Sequence, residues 1–268
     1  MKQKPLGTVT LVVRRATVIA ASLAMAVPVL HSQSSAAPSK KIDPVAVDAL
    51  RKMGANLRTL KSFAVKVNGA KDEVMADGQK IQLSGTVKYV VRSPDKFRAD
   101  IQTDRKQRTI LYDGRTLTLY APRMHYFATV EAPPTVGEML DVVRDKYGVE
   151  LPVADLFLWG TERDGVKELT AARYVGPAII DGAMTDHYAF RQKDTDWQIW
   201  IERGSNPLPR KLVITTTNEP TQPQYAATIT WNLAASTEDG IFAFVPPKDA
   251  AKIAWSSTIM FASKEPGN

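Results

Sequence analysis

The chain has 268 residues, a formal net charge of +7 and no cysteine. That length can bury a core as one domain or two small ones, and without cysteine it excludes a disulfide-held scaffold and cysteine-linked lipid attachment. Four basic residues, Lys2, Lys4, Arg14 and Arg15, crowd the N-terminus, and the remainder is too weakly and diffusely basic to argue for nucleic acid.

Residues 1–36 read as a cleaved secretory signal. The basic residues precede an uncharged apolar run at 16–30, and Ser34-Ser35-Ala36 offers small residues for a signal peptidase. Ala24-Met25-Ala26 is an alternative cleavage point. The run is shorter than the roughly 20 residues of a membrane-spanning helix, so the mature protein is expected in the periplasm without stable membrane insertion. Residues 37–42 form a short flexible leader.

Asp43-Pro44 is a helix start, with Asp as N-cap and Pro at the first helical position. Ala46, Leu50, Met53, Leu57 and Leu60 then form one apolar stripe, with Arg51, Lys52, Arg58 and Lys61 off it. Strands follow. Phe63, Val65 and Val67 alternate with polar neighbours, and Leu83, Val87, Tyr89 and Val91 share a face. Ser93-Pro94 turns the chain into Phe97-Ala99-Ile101. Asp113-Gly114 between residues 109–112 and 116–120 marks a hairpin, and residues 126–130 close this first set of strands.

The period then changes. Thr135 with Glu138 makes a capping box, and Val136, Met139, Leu140, Val143 and Tyr147 recur at helical spacing. Pro152 opens a second short helix at 153–159, apolar over most of its circumference. Strands return at 169–175. Tyr188 and Phe190 follow, then Trp197, Ile199 and Ile201, then residues 211–214 and 225–233. A last short strand is expected at 242–247, stopped by Pro246-Pro247. Trp200 must face away from Trp197, because successive strand side chains point to opposite faces. Hairpin succession rather than βαβ units makes the fold mainly β with helices (α+β). The expected architecture is one curved antiparallel sheet forming an incomplete barrel, with an N-terminal helix and a mid-chain helical lid. The domain would span 43–250, with 251–268 as a C-terminal tail.

Three segments carry a resemblance: residues 85–97 (GTVKYVVRSPDKF), 110–120 (ILYDGRTLTLY) and 242–247 (FAFVPP). With them the chain resembles the lipoprotein-localisation-factor superfamily, the periplasmic carriers of outer-membrane lipoproteins. Residues 197–202 (WQIWIE) and 207–214 (PLPRKLVI) resemble, more narrowly, a family of predicted periplasmic bacterial proteins without assigned function. The resemblance implies a half-barrel whose helical lid covers a cavity for acyl chains. The carriers hold the lid with an arginine immediately before the motif's proline. Here that residue is Ser93, and Arg92 would point to the other face, so the latch does not carry over.

The candidate cavity and lid residues are Tyr89, Leu119 and Trp231 as floor, with Met139, Leu140, Val143, Leu156, Phe157, Leu158 and Trp159 above. Plain core packing would explain the same apolar helices, and a lid is core when empty. Catalytic signals are few. His125 and His187 are expected in different strands, with no ligand-spaced companions for a metal, and no cofactor is implied. Glu202-Arg203 and Arg210-Lys211 read as a solvated strand end with cross-strand ion pairs. Three functions therefore stand in order. The first is a carrier or sensor of an apolar ligand (a lipid, an acyl chain or a lipidated protein). Next come a non-enzymatic envelope protein-interaction module and an exported hydrolase.

Overall fold

The computed structural model describes residues 41–147 and 151–255. The signal read at 1–36 lies outside the described residues, as do 37–40 of the leader and 256–268 of the tail. Helix α1 (Pro44–Thr59) begins where the sequence places it, with the Asp43 side chain accepting from the Val45 amide at 2.9 Å. Ala46, Leu50, Met53 and Leu57 are buried, while Leu60 caps the C-terminus and is only partly covered.

Six strands follow: β1 (Ser62–Val74), β2 (Lys80–Arg92), β3 (Lys96–Thr103), β4 (Gln107–Tyr112), β5 (Thr116–Ala121) and β6 (Tyr126–Glu131). After helix α2 (Val136–Tyr147) come β7 (Ala171–Ile180), β8 (Ala183–Gln192), β9 (Thr195–Glu202), β10 (Pro209–Thr216), β11 (Gln224–Asn232) and the two-residue β12 (Ala251–Lys252). All twelve join one open sheet in the order β12-β6-β5-β4-β3-β2-β1-β11-β10-β9-β8-β7. Both hairpin series meet where β1 pairs antiparallel with β11, and β12 runs parallel to β6. The result is the curved, incomplete barrel with N-terminal and mid-chain helices expected from the sequence.

Strand alternation divides the side chains cleanly. Val65 and Val67 of β1, Tyr89 of β2, Ile199 of β9 and Ile229 of β11 face the helices and are buried with them in one core. Burying each such side chain contributes about 1.5–3 kcal/mol. On the outer face, Trp200 stacks on His187 at 3.9 Å, and the Lys211 ammonium lies 4.7 Å from the Trp200 ring centre. Trp197 stacks instead on buried Phe190 at 4.3 Å inside.

Three local expectations are corrected. Residues 153–159 do not form an α-helix; only a 3-10 turn, Ala154–Phe157, is made, entered through Val153 at φ 56°. Residues 242–247 are not a strand. They follow a 3-10 turn at Asp239–Ile241 and lie across the outer face of β4 to β6, where Phe244 meets the rings of Tyr120 and Phe127 at 5.5 and 5.0 Å. His125 lies not in a strand but at a left-handed turn residue before β6.

The free margin of β7 is partly covered. Ala172 accepts from the Asp43 amide and donates to the Lys41 carbonyl, at 2.9 and 3.0 Å. Farther along, the pairing with β8 slips between Tyr174 and Gly176, and Pro177 follows.

Candidate ligand cavity

The cavity exists because one row of the inner sheet face has almost no side chains. Direct pairing sets Ala227, Gly69 and Gly85 side by side on β11, β1 and β2. One row outward, toward the strand ends, Ile214, Tyr225, Lys71 and Leu83 line up across β10, β11, β1 and β2. The Tyr225 ring folds back over Gly69, so a β-carbon on Gly69 would lie 2.8 Å from the Tyr225 hydroxyl oxygen. A side chain at position 69 would push that ring aside.

Above this trough lie α2 and the 151–163 segment. Two adjoining spaces result. The first, about 440 Å³, is bounded by Leu140, Val143, Phe157, Leu158, Ile214 and Tyr225, with Arg144 and Arg163 toward α2. The second, about 780 Å³, opens toward the β1–β2 and β3–β4 ends and is more polar. Lys71, Pro152, Ile214 and Tyr225 border both, which makes them one continuous cleft. Its apolar part falls within the 300–1,000 Å³ usual for small-molecule sites.

The lid is tied down from several sides. Arg58 of α1 donates to the carbonyls of Leu156 at 2.7 Å and Phe157 at 3.0 Å. The Tyr89 hydroxyl donates to the Pro152 carbonyl at 2.7 Å. The Phe157 ring sits 5.8 Å from that of Tyr89 and 5.6 Å from that of Phe97. At the rim, Arg163 pairs with Asp141 of α2, which also accepts from Arg144 at 3.3 Å. Thr135 starts α2, accepting from the Glu138 amide at 3.3 Å and donating to its carboxylate at 2.8 Å.

In the apolar part of the cleft this enclosure shifts Asp155 and Tyr225. Burial pushes the Asp155 carboxyl above its ordinary value. Burial, then the nearby Asp155 charge, pushes the Tyr225 phenol up to about 12.

A family model described as "Predicted periplasmic protein (DUF2092)" matches residues 46–255. The chain belongs to this family. DUF2092 is periplasmic by description, and among the described residues no helix is long and apolar enough to cross a membrane. No curated protein matches the chain. Among solved structures, it is similar to the lipoprotein LppX of Mycobacterium tuberculosis (12% identity, 73% of this chain and 100% of the other, TM-score 0.38). It is also similar to LprF from Mycobacterium bovis (13% identity, 79% and 100%, TM-score 0.41). A LolA superfamily protein from Nitrosomonas europaea gives 11% identity, 74% and 97% coverage and a TM-score of 0.31. None of these likenesses says what a DUF2092 protein binds.

Within this DUF2092 chain the residues expected to form the site divide three ways. Leu140, Val143, Phe157 and Leu158 border the cleft. Tyr89, Leu119, Met139, Leu156 and Trp159 are buried. Trp231 lies apart, its ring 5.4 Å from Phe63 and its indole N–H donating to the Pro209 carbonyl at 2.9 Å. Sequence reasoning missed Lys71, Asp155 and Arg58. It placed Tyr225 in a strand without a role, although Tyr225 has the same parity as Trp231. The histidines stay apart. His125 contacts Asp249 at 2.6 Å, and the His187 ring nitrogen Nε2 bonds the Gln198 side chain at 3.0 Å. Asp186 turns instead to Arg203 and Tyr174, at 2.6 and 2.9 Å. Glu202 and Arg210 form the expected cross-strand pair at 2.6 Å. No group of three or more His, Asp or Glu residues able to hold a metal occurs among the described residues.

Proposed function

We propose that this protein is a periplasmic carrier or sensor that takes an apolar chain, from a lipid, an acyl group or a lipidated protein, into the cleft beneath the 151–163 lid. The observation that carries this reading is the apolar space of about 440 Å³ between Leu140, Val143, Phe157, Leu158, Ile214 and Tyr225. Each methylene moved there from water contributes about 0.8 kcal/mol. Ten of them would contribute about 8 kcal/mol before the cost of holding a flexible chain is subtracted. The polar ties of the 151–163 segment to the rest of the protein are the Arg58 and Tyr89 hydrogen bonds and the rim ion pair. No catalysis is part of this reading. His125 is well exposed beside Asp249, far in sequence from the lid.

Organic extraction of protein purified from periplasm, followed by mass spectrometry, tests the proposal. A stoichiometric lipid or fatty acid is the expected result. An empty protein that also fails to take up a fluorescent fatty acid would exclude it. Cross-linked polypeptide partners without extractable lipid would instead support an interaction module.

A further inference from the structure

The cleft is not uniform along its length. Beneath α2 its lining is mainly apolar, with Arg144 and Arg163 paired to Asp141 at the rim, whereas its other end lies among charged side chains on β1 and the β3–β4 turn. Lys71 stands where the two parts meet. Direct pairing puts it between Tyr225 of β11 and Leu83 of β2, on the inner face. Among the described residues the Lys71 side chain has neither an ion-pair nor a hydrogen-bond partner. Arg105 and Lys106 border the same wider space.

The carboxylates in that space are largely engaged. Arg105 bonds both oxygens of Glu73, each at 3.1 Å. Asp72 accepts from Lys80 and Gln82, both at 3.4 Å, and from the Gln224 amide at 3.2 Å. Glu219 is the remaining carboxylate at the margin. The local field is positive nonetheless. Burial lowers the Lys106 pKa first, and Arg108, Arg105 and Lys71 lower it further against the opposing effect of Glu73. An unpaired cation at the end of an apolar slot matches one ligand shape, a hydrocarbon chain ending in a negative charge.

Building on the carrier reading above, we propose that the ligand is an anionic amphiphile, its chain under the lid and its carboxylate or phosphate at Lys71, facing Lys106 across the wider part of the cleft. Lys71 then acts as a specificity residue. It contributes little to burial of the chain and selects the charge at its end.

The test compares three single-chain probes by calorimetry on the mature protein: oleate, lysophosphatidylglycerol and the neutral monoolein. The anionic probes should bind more tightly than monoolein and weaken as salt is raised. Lys71→Gln should reduce anionic binding by roughly three- to tenfold, the range of a partly solvated charge contact, and leave monoolein unchanged. Because Lys71 is exposed and unpaired, unchanged monoolein binding also reports an intact fold. Preference for oleate would indicate a free fatty acid, and preference for lysophosphatidylglycerol a phospholipid; either supports the proposal. Equal binding of all three, indifferent to Lys71→Gln, would overturn the head-group assignment and leave the carrier reading standing. Failure of all three to bind would overturn both.

Discussion

Gly54 of α1 and Gly160 of the lid segment pack backbone against backbone, so that a β-carbon on Gly54 would lie 2.5 Å from the Gly160 nitrogen. Gly160 itself has φ +76°, a conformation side chains resist. In an ordinary helix interior, Gly→Ala gains about 1 kcal/mol from propensity. Here the sign should reverse. Gly54→Ala is expected to lower the unfolding free energy by about 1–3 kcal/mol, the usual cost of overpacking, in urea titrations. A stabilised variant would show that the two backbones are not in contact.

Arg58 should be the principal tie between α1 and the lid. Its two bonds end on backbone carbonyls, which no side-chain substitution in the lid removes. Arg58→Ala should cost about 1–3 kcal/mol locally. In hydrogen exchange the amides of 154–159 should lose protection while those of β8 and β9 keep theirs. Uniform loss across the sheet would contradict a local tie.

Filling the apolar end of the cleft should abolish uptake without unfolding the protein. Leu140 is only partly buried and borders the space, so Leu140→Trp has room to enter it. A fluorescent fatty acid should bind this variant at least tenfold more weakly, with a melting temperature near that of the parent. Unchanged uptake would place the ligand elsewhere.

Asp155 should make stability fall with rising pH. Its folded-state pKa is raised above the ordinary 3.8, so between those values the folded state holds more protons than the unfolded one. By linkage, stability is then lost as pH rises through that window and stays lost above it. Asp155→Asn should therefore melt higher than the parent at pH 7 and converge with it toward pH 3. A gap independent of pH would contradict the assignment.

Arg92 should stabilise the outer face and leave ligand binding alone. It donates to the Thr237 carbonyl at 2.8 Å and pairs with Asp239, and its guanidinium lies 5.7 Å from the Phe242 ring centre. Arg92→Ala should expose residues 237–247 to proteolysis, with fatty-acid uptake within twofold of the parent. A large loss of uptake would restore the lid-latch role that its orientation denies.

Strand faces were legible from the sequence because the period of two is strict wherever one face is buried. Val65, Tyr89, Ile199 and Trp200 all point where alternation puts them. Phe242 and Phe244 alternate just as well, yet make no ladder. Alternation reports which side of a segment is covered, and an extended segment laid across a sheet satisfies it too. The lid was legible as an apolar segment but not as a 3-10 turn, since a left-handed Val153 has no signature in sequence. The cleft itself was illegible for a different reason. It depends on Gly69, Gly85 and Ala227 standing abreast, and their adjacency comes from registers between β11, β1 and β2 that no single segment encodes.

The slipped register and Pro177 on β7 have a consequence for the molecule among its neighbours. An unclosed sheet ends in unsatisfied amides, and exposed Val175 and Ile179 would make this margin an inviting template. Pro177 has no amide hydrogen to offer, and the slip beside it breaks the spacing an incoming strand would need. Open as the sheet is, this margin is therefore a poor template for a strand from another copy of the chain.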